Sequence, residues 1–247
     1  YVNIAMGIVA LFTLENDKMV LESDKVSFKG ITKVLKNPAV WIICLVSFCN
    51  HVFCLSIYYY IPYVTDILGA AVAFGAMMGV LRKFGSIGGN IIGGYLADKF
   101  GTGKLMLLAY IVMLGGQIGI FFVPSGPSSA IIVTILFITI LSFFHMNYAM
   151  AWTMMSEGAV PVEYCGTAAG LICMAGAVPE TFISIFAGSL IDNHPGITGY
   201  HYFFIFLTII IAVGLILILI WKAYLKRAKI DKSKIDEKAM EELKQYV

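Results

Sequence analysis

The chain has 247 residues, of which 60% are hydrophobic and 13% charged, with a formal net charge of +2 at pH 7. A mean hydropathy of +0.87 and apolar runs longer than any soluble core uses exclude a water-soluble domain; the net charge says little, since what matters is where the charges lie along the chain, and no nucleic-acid partner is expected. The five cysteines, Cys44, Cys49, Cys54, Cys165 and Cys173, lie in or beside apolar runs without metal-ligand spacing, so they read as small hydrophobes with no disulfide, metal or cofactor expected.

The chain starts at Tyr1, and its first apolar run, residues 1–14, is shorter than the ~20 residues that span a bilayer. It reads as the truncated end of a transmembrane helix. A cleavable signal peptide is the competing reading, but no basic segment precedes the run and no small-x-small site follows it. Residues 15–38 are polar, with lysines at 18, 25, 29, 33 and 36. Within them Val26, Phe28, Ile31, Val34 and Leu35 recur at roughly helical spacing, which suits an amphipathic helix on a membrane surface; a solvated linker fits as well.

Six full spans are expected next, at 40–65, 69–97, 104–123, 128–155, 166–191 and 200–221, within a transmembrane unit of residues 39–222. Apart from Arg82 and Lys83, the lysines and arginines fall in alternate connections and in the tail, residues 223–247. The positive-inside rule makes that side cytoplasmic, with the tail in the cytosol. Gly85, Gly89 and Gly93 repeat every four residues, as do the pairs Gly166/Gly170 and Gly115/Gly119, giving smooth faces for close helix packing. Pro62, Pro161 and Pro179 mark bends, and Trp152 with the methionines around it reads as packing.

The stretch 69–104 carries the strongest signal. Its span is about 29 residues, or ~43 Å as a helix, and it holds Arg82 and Lys83 near its middle. An ionised side chain at that depth costs on the order of 2.5–3.5 kcal/mol, so both cations must face protein or a water-filled cavity.

The same stretch ends in Gly94-x-x-x-Asp98-Lys99-x-Gly101 followed by Lys104. This resembles the loop motif of the major facilitator superfamily, Gly-x-x-x-Asp-Arg/Lys-x-Gly-Arg/Lys-Arg/Lys, between the second and third helices of each half. Here the terminal basic pair is reduced to Lys104. Glu157-x-x-x-Pro161-x-x-x-Cys165-Gly166-x-x-x-Gly170 is similar to the family's link between helices ten and eleven, with Cys165 where an arginine is usual. The run from Gly188 to Asp192 echoes the one from Gly94 to Asp98 at the opposite face, as inverted repeats do in this fold.

The resemblance implies an all-α membrane protein: a six-helix transmembrane bundle forming the C-terminal half of a twelve-helix transporter, preceded by the truncated end of helix six. It also implies a missing N-terminal half as partner beside the lipid bilayer, a small-molecule substrate, and a bacterial cytoplasmic membrane as the setting. The cavity would be lined by helices seven, eight, ten and eleven, the spans starting at 40, 69, 128 and 166.

Strongly polar mid-span residues fall mainly on those four helices: Asn50 and His51, Arg82 and Lys83, His145 and Asn147, and Glu180. Gln117 is the exception. Arg82 is expected to bind a carboxylate or phosphate of the solute, with Lys83, His51, Asn50, His145, Asn147 and Tyr59 as further contacts. Adjacent helical residues point ~100° apart, so one of the two cations can serve solute while the other pairs with Glu180, a proton-coupling site or counter-ion. A purely structural pair with Glu180 is the plainer alternative. Tyr58, Tyr59, Tyr60 and Tyr63 read as an interfacial belt from which one ring closes an outer gate.

These features point to a secondary active transporter of a small organic anion working by alternating access, by symport or exchange. A multidrug or neutral-solute transporter and a non-transporting sensor of the same fold remain alternatives. No HExxH or GxSxG motif occurs to favour an intramembrane enzyme.

Overall fold

The computed structural model describes residues 28–158, 160 and 162–227. The expected truncated helix at 1–14, most of the linker at 15–38 and the tail beyond 227 lie outside the described residues. What remains of the linker is a short helix, α1 (Phe28–Lys36). The Asn37 side chain then accepts from the Ala39 amide at 3.0 Å, and Pro38 fills the first turn of α2 (Pro38–Ser56), where a missing N–H costs nothing.

The helical rod of α2 runs on to Ile67 in altered register. It tightens to a 3₁₀ turn at Ile57–Tyr59, makes one α turn at Tyr60–Pro62 and widens to a π turn at Tyr63–Ile67. Pro62 supplies no amide to the ladder, and the turns on either side take up the difference. The remaining long helices are α3 (Val72–Phe100), α4 (Thr102–Phe121), α5 (Ala130–Met150) and, after the five-residue α6 (Thr153–Glu157), α7 (Val162–Ala177), α8 (Ile183–Asn193) and α9 (Ile197–Arg227). Between α7 and α8 the rod is interrupted by a 3₁₀ turn at Val178–Thr181, where Pro179 breaks the ladder as expected.

Five of these rods are long and apolar enough to cross a membrane: Pro38–Ile67, Thr102–Phe121, Pro127–Met150, Tyr164–Asn193 and Ile197–Arg227. The chain is an integral, multi-pass membrane protein. The 29-residue α3 is not among the five, because Arg82 and Lys83 interrupt its apolar middle. Its packing nevertheless carries it through the same layer. A Cβ on Gly85 would lie 3.4 Å from Ile138, one on Gly89 2.3 Å from the Ser142 carbonyl oxygen, and one on Gly93 2.7 Å from Met146. Four residues along α3 thus match about four along α5, so the two helices run parallel and in step, with α4 returning between them in sequence.

The basic connections gather at one end. A Cβ on Gly103, in the first turn of α4, would lie 3.6 Å from Lys222 near the end of α9, and Lys33 of α1 donates to the Tyr164 hydroxyl at 3.1 Å. At the opposite end Gly69 meets Pro127. Apolar side chains such as Phe84, Ile91 and Ile185 face outward, while the core between α2, α4, α5 and α9 is filled by Phe53, Phe137, Phe144, Phe203 and Phe204.

Several expectations are corrected by this packing. Tyr60 and Tyr63 are not belt residues; both are fully buried, Tyr60 stacked on Phe137 and tilted against Phe204, Tyr63 edge-on to Phe204 and beside Tyr200. Gly166 and Gly170 meet nothing, and on α4 the close approach is at Gly116, against Ile140, rather than at Gly115. Met146, Met150 and Met154 are buried as packing residues, but Trp152 is exposed.

The α3–α5 contact predicts a sharp positional contrast. Gly89→Ala, which pushes a methyl into the Ser142 carbonyl, is expected to destabilise the bundle by about 1–3 kcal/mol. Gly94→Ala, whose Cβ meets no neighbour, should change stability by no more than ~0.5 kcal/mol. Thermal melting of the two variants in detergent checks this; equal effects would contradict the parallel packing.

Candidate functional site: a charged cleft on the open side of the bundle

Three helix faces and one helix break build the site. On α2, Ser47, His51, Cys54 and Tyr58 recur at i, i+4, i+7 and i+11, one stripe of a helix. His145 and Tyr148 on α5, with Trp152 in the turn just after it, follow the same rule, and α3 contributes Arg82 and Lys83. The 3₁₀ turn after α7 contributes Glu180, exposed beside the buried Pro179.

Shared neighbours tie these faces together. The Arg82 and Lys83 charges both reach His145. Those of Arg82 and Glu180 both reach Cys54, and that of Glu180 also reaches Tyr148. Tyr148 in turn packs against His51, with ring centroids 5.6 Å apart. The site is therefore a cleft with cations on one wall, a carboxylate on another and imidazole and phenol groups between them.

Arg82 is half-buried, and its guanidinium carbon lies 4.6 Å from the centroid of the Tyr58 ring. Its Nε is buried with no hydrogen-bond partner. Lys83, next along the helix, is exposed. Among the described residues neither cation forms an ion pair with Glu180, so the structural pairing considered from the sequence is not made here. Tyr58 and Arg82 each lie about ten residues, or ~15 Å, from the end of their helix opposite the basic connections, which is mid-membrane depth.

His51 sits at the floor of the cleft. Its Nδ1 is 3.0 Å from the Ser47 carbonyl; a carbonyl only accepts, so Nδ1 carries the proton in this contact and Nε2 stays available as an acceptor. Gly176 of α7 makes room for the ring, since a Cβ there would lie 2.6 Å from His51 Nδ1. Ser47, Asn50, His51, Tyr148, Trp152 and Ile172 line a small hollow leading from this point toward the basic end.

Other residues singled out in the sequence are placed elsewhere. Asn50 is 2% exposed and Asn147 0%, and both turn toward α4. Tyr110 donates to Asn50 Oδ1 at 2.9 Å, and Asn147 Nδ2 donates to the Met113 sulfur at 3.5 Å. One turn further, the Tyr60 hydroxyl donates to Gln117 Oε1, which accounts for the isolated glutamine of α4. Tyr59 packs on Phe203 and donates to the Ser184 carbonyl at 3.4 Å, so it is not the ring that meets Arg82.

The loop motif closes the basic end of α3. Gly101 adopts φ +85°, a conformation open chiefly to glycine, and lets the chain reverse from α3 into α4. Asp98, Lys99 and Lys104 are exposed around that turn, Lys99 lying 5.5 Å from the Phe100 ring. Gly94 touches no neighbouring element among the described residues; the close packing of α3 is at Gly85, Gly89 and Gly93. The sequence reading named Tyr58 only as a belt or gate residue and Cys54 only as a small hydrophobe, and it did not name Tyr148; the helical stripe through His51 and the one through His145 are the signals that point to them.

Comparison with known proteins places this geometry. A family model described as Major Facilitator Superfamily matches residues 1–182. The chain is 25% identical to the inner membrane protein YihN of Escherichia coli (strain K12), over 80% of this chain and 49% of that protein. It is 29% identical to the MFS-type transporter YttB of Bacillus subtilis (strain 168), over 39% of this chain and 24% of that protein. A crystal structure of the Major Facilitator Superfamily transporter FucP in the outward conformation superposes with a TM-score of 0.67 at 14% identity, covering 90% of this chain and 51% of that one. The chain thus spans about half or less of the length of these proteins.

The split between core and cleft tyrosines has a measurable consequence. Tyr110→Phe leaves the buried Asn50 amide without its donor and is expected to cost about 1–3 kcal/mol of stability. Tyr58→Phe removes a hydroxyl from an exposed ring and should leave the melting temperature unchanged. Melting curves of both variants in detergent distinguish the two roles.

Proposed function

The chain belongs to the Major Facilitator Superfamily, and from that premise we propose that it forms one half of a secondary active transporter whose solute is a small organic anion. The observation that carries this reading is the cationic wall: Arg82 and Lys83 lie at mid-membrane depth, Arg82 Nε is buried without a hydrogen-bond partner, and among the described residues neither cation forms an ion pair with Glu180. Two cations facing a cleft of low dielectric are costly unless an anion joins them, and a carboxylate, sugar acid or phosphorylated solute supplies that charge.

Glu180 stands on the opposite wall, where it offsets part of the positive field when the cleft is empty and can exchange a proton or a counter-charge with the solute. His145, within reach of both cations, and His51, with Nε2 free, offer hydrogen bonds to a polar solute. The partner is a second six-helix half that covers the cleft, and alternating access is a rocking of the two halves about it. By the positive-inside rule the end bearing Lys99, Lys104 and Lys222 is cytoplasmic, in the cytoplasmic membrane of a bacterium.

Reconstitution of the complete transporter in proteoliposomes tests the proposal. Uptake of a panel of labelled organic anions is measured with and without an inward proton gradient, for wild type and Arg82→Gln. Arg82→Gln is expected to lower uptake of the transported anion by at least about a hundredfold, the loss of a charge-assisted bidentate contact of roughly 3 kcal/mol, with insertion unchanged. Dependence on the gradient then separates proton symport from exchange. Undiminished anion uptake by Arg82→Gln would return both cations to a structural role, and uptake of uncharged solutes alone would favour a sugar or drug transporter of the same fold.

A further inference from the structure

Three consecutive tyrosines leave α2 in three directions. Tyr60 enters the core and bonds Gln117, Tyr59 packs against Phe203, and Tyr58, 60% exposed, turns to α3 and lies under the Arg82 guanidinium. A tyrosine at mid-membrane depth is out of place as an interfacial anchor, and its ring is left with one described cationic contact, at 4.6 Å, well inside cation–π range.

We propose that Tyr58 is the positioning residue of the anion site: its ring fixes the plane of the Arg82 guanidinium so that the two terminal nitrogens meet a planar or tetrahedral oxyanion end-on. This inference rests on the anion reading of the cleft and adds to it the group that gives the cation a direction.

The geometry of Arg82 explains why one orientation is selected. The guanidinium carbon lies 4.6 Å from the centroid of the Tyr58 ring, and Nε is buried without a hydrogen-bond partner. The terminal nitrogens are not sealed in this way, and they form the edge that an anion can approach. An unsupported arginine would spread that edge over many rotamers, each with a different line of approach. With the ring in place the fork is preorganised, and a ligand presenting two oxygens side by side, a carboxylate or a phosphate, matches it. Lys83 has no such support; its ammonium is a point charge that contributes field rather than direction.

The aromatic face does this, not the hydroxyl, so the substitutions separate cleanly. The experiment uses the complete transporter in proteoliposomes. Phenylglyoxal, which modifies guanidinium groups, is applied, and the adduct at Arg82 is followed by mass spectrometry. Gluconate and inorganic phosphate serve as protecting anions, for wild type, Tyr58→Phe and Tyr58→Ala.

Wild type is expected to be protected by at least one of the two anions. The half-protecting concentration should rise about three- to thirtyfold in Tyr58→Ala and stay within about twofold of wild type in Tyr58→Phe. The unprotected rate at Arg82 should also rise in Tyr58→Ala, because the ring no longer lies against the guanidinium. Equal protection in all three proteins would overturn the positioning role while leaving the anion site standing. A loss in Tyr58→Phe as large as that in Tyr58→Ala would assign the effect to the hydroxyl and overturn it too. Absence of protection by either anion in wild type would overturn the anion reading itself and this inference with it. Tyr58→Phe, with the ring retained, is the control for folding.

Discussion

A cation inside the bilayer must have either a counter-charge or water, and the two carried by α3 determine much of how this bundle is built. Each costs on the order of 2.5–3.5 kcal/mol at mid-membrane depth if it faces lipid. The helix avoids that cost by geometry. Its glycine face, Gly85, Gly89 and Gly93, presses into α5 so closely that a single methyl group would collide with the Ser142 carbonyl, which fixes the rotation of α3 about its own axis. With that face committed, Arg82 is turned toward α2 and the Tyr58 ring. Polar groups of α2, α5 and the turn after α7 gather around the same opening. The glycines and the cations are thus two ends of one constraint, since loosening the first would let the second rotate into lipid.

The polar side chains of the spans sort into two sets with different work. Asn50, Asn147, Gln117, Tyr60 and Tyr110 lie in a line along α4, hydrogen-bonded to one another or to Met113, and tie α2 and α5 to it. Each of the three amides is only half satisfied, since Asn50 Nδ2, Gln117 Nε2 and Asn147 Oδ1 are buried without a partner among the described residues; the bonds that are made specify which helix faces meet. The second set, His51, Tyr58, Arg82, Lys83, His145, Tyr148 and Glu180, faces the cleft and is incompletely paired. On α2 the two sets alternate: Asn50 and Tyr60 point inward, His51 and Tyr58 outward. One helix therefore serves as scaffold on one side and as a wall of the cleft on the other.

Much of this was legible in the sequence. Apolar runs of ~20 residues gave the spans to within a few residues, the every-fourth-residue glycines gave the tight face of α3, and Pro179 gave the interruption between α7 and α8. Depth was readable too, because Arg82 and Lys83 lie at countable distances from the ends of their run. Azimuth was not. Asn50 and His51 are neighbours in sequence and border the same small hollow, yet the Asn50 amide is held by Tyr110 of α4 while the His51 ring packs on Tyr148 of α5. The same limit misdirected the choice among the tyrosines, where Tyr59 stood out in the sequence and Tyr58 meets the arginine. Glycine spacing was ambiguous for a related reason: Gly166 and Gly170 have the same period as Gly85 and Gly89 but no helix lies against them.

The two irregular stretches of backbone lie on the walls of the cleft and nearly level with each other. The 3₁₀ and π turns of α2 cover Ile57–Ile67, the break after α7 covers Val178–Thr181, and Tyr59 bonds Ser184 just beyond that break. In a bilayer a regular helix resists bending, because each backbone hydrogen bond lost has no water to replace it. Where proline has already removed a donor the ladder is incomplete, and bending sacrifices less. Tyr58 and Glu180 both sit on these interrupted stretches, whereas Arg82 sits on the unbroken α3. A change of angle at either interruption therefore moves the aromatic support or the carboxylate relative to a cation that stays in place. That couples the electrostatics of the cleft to the shape of its walls.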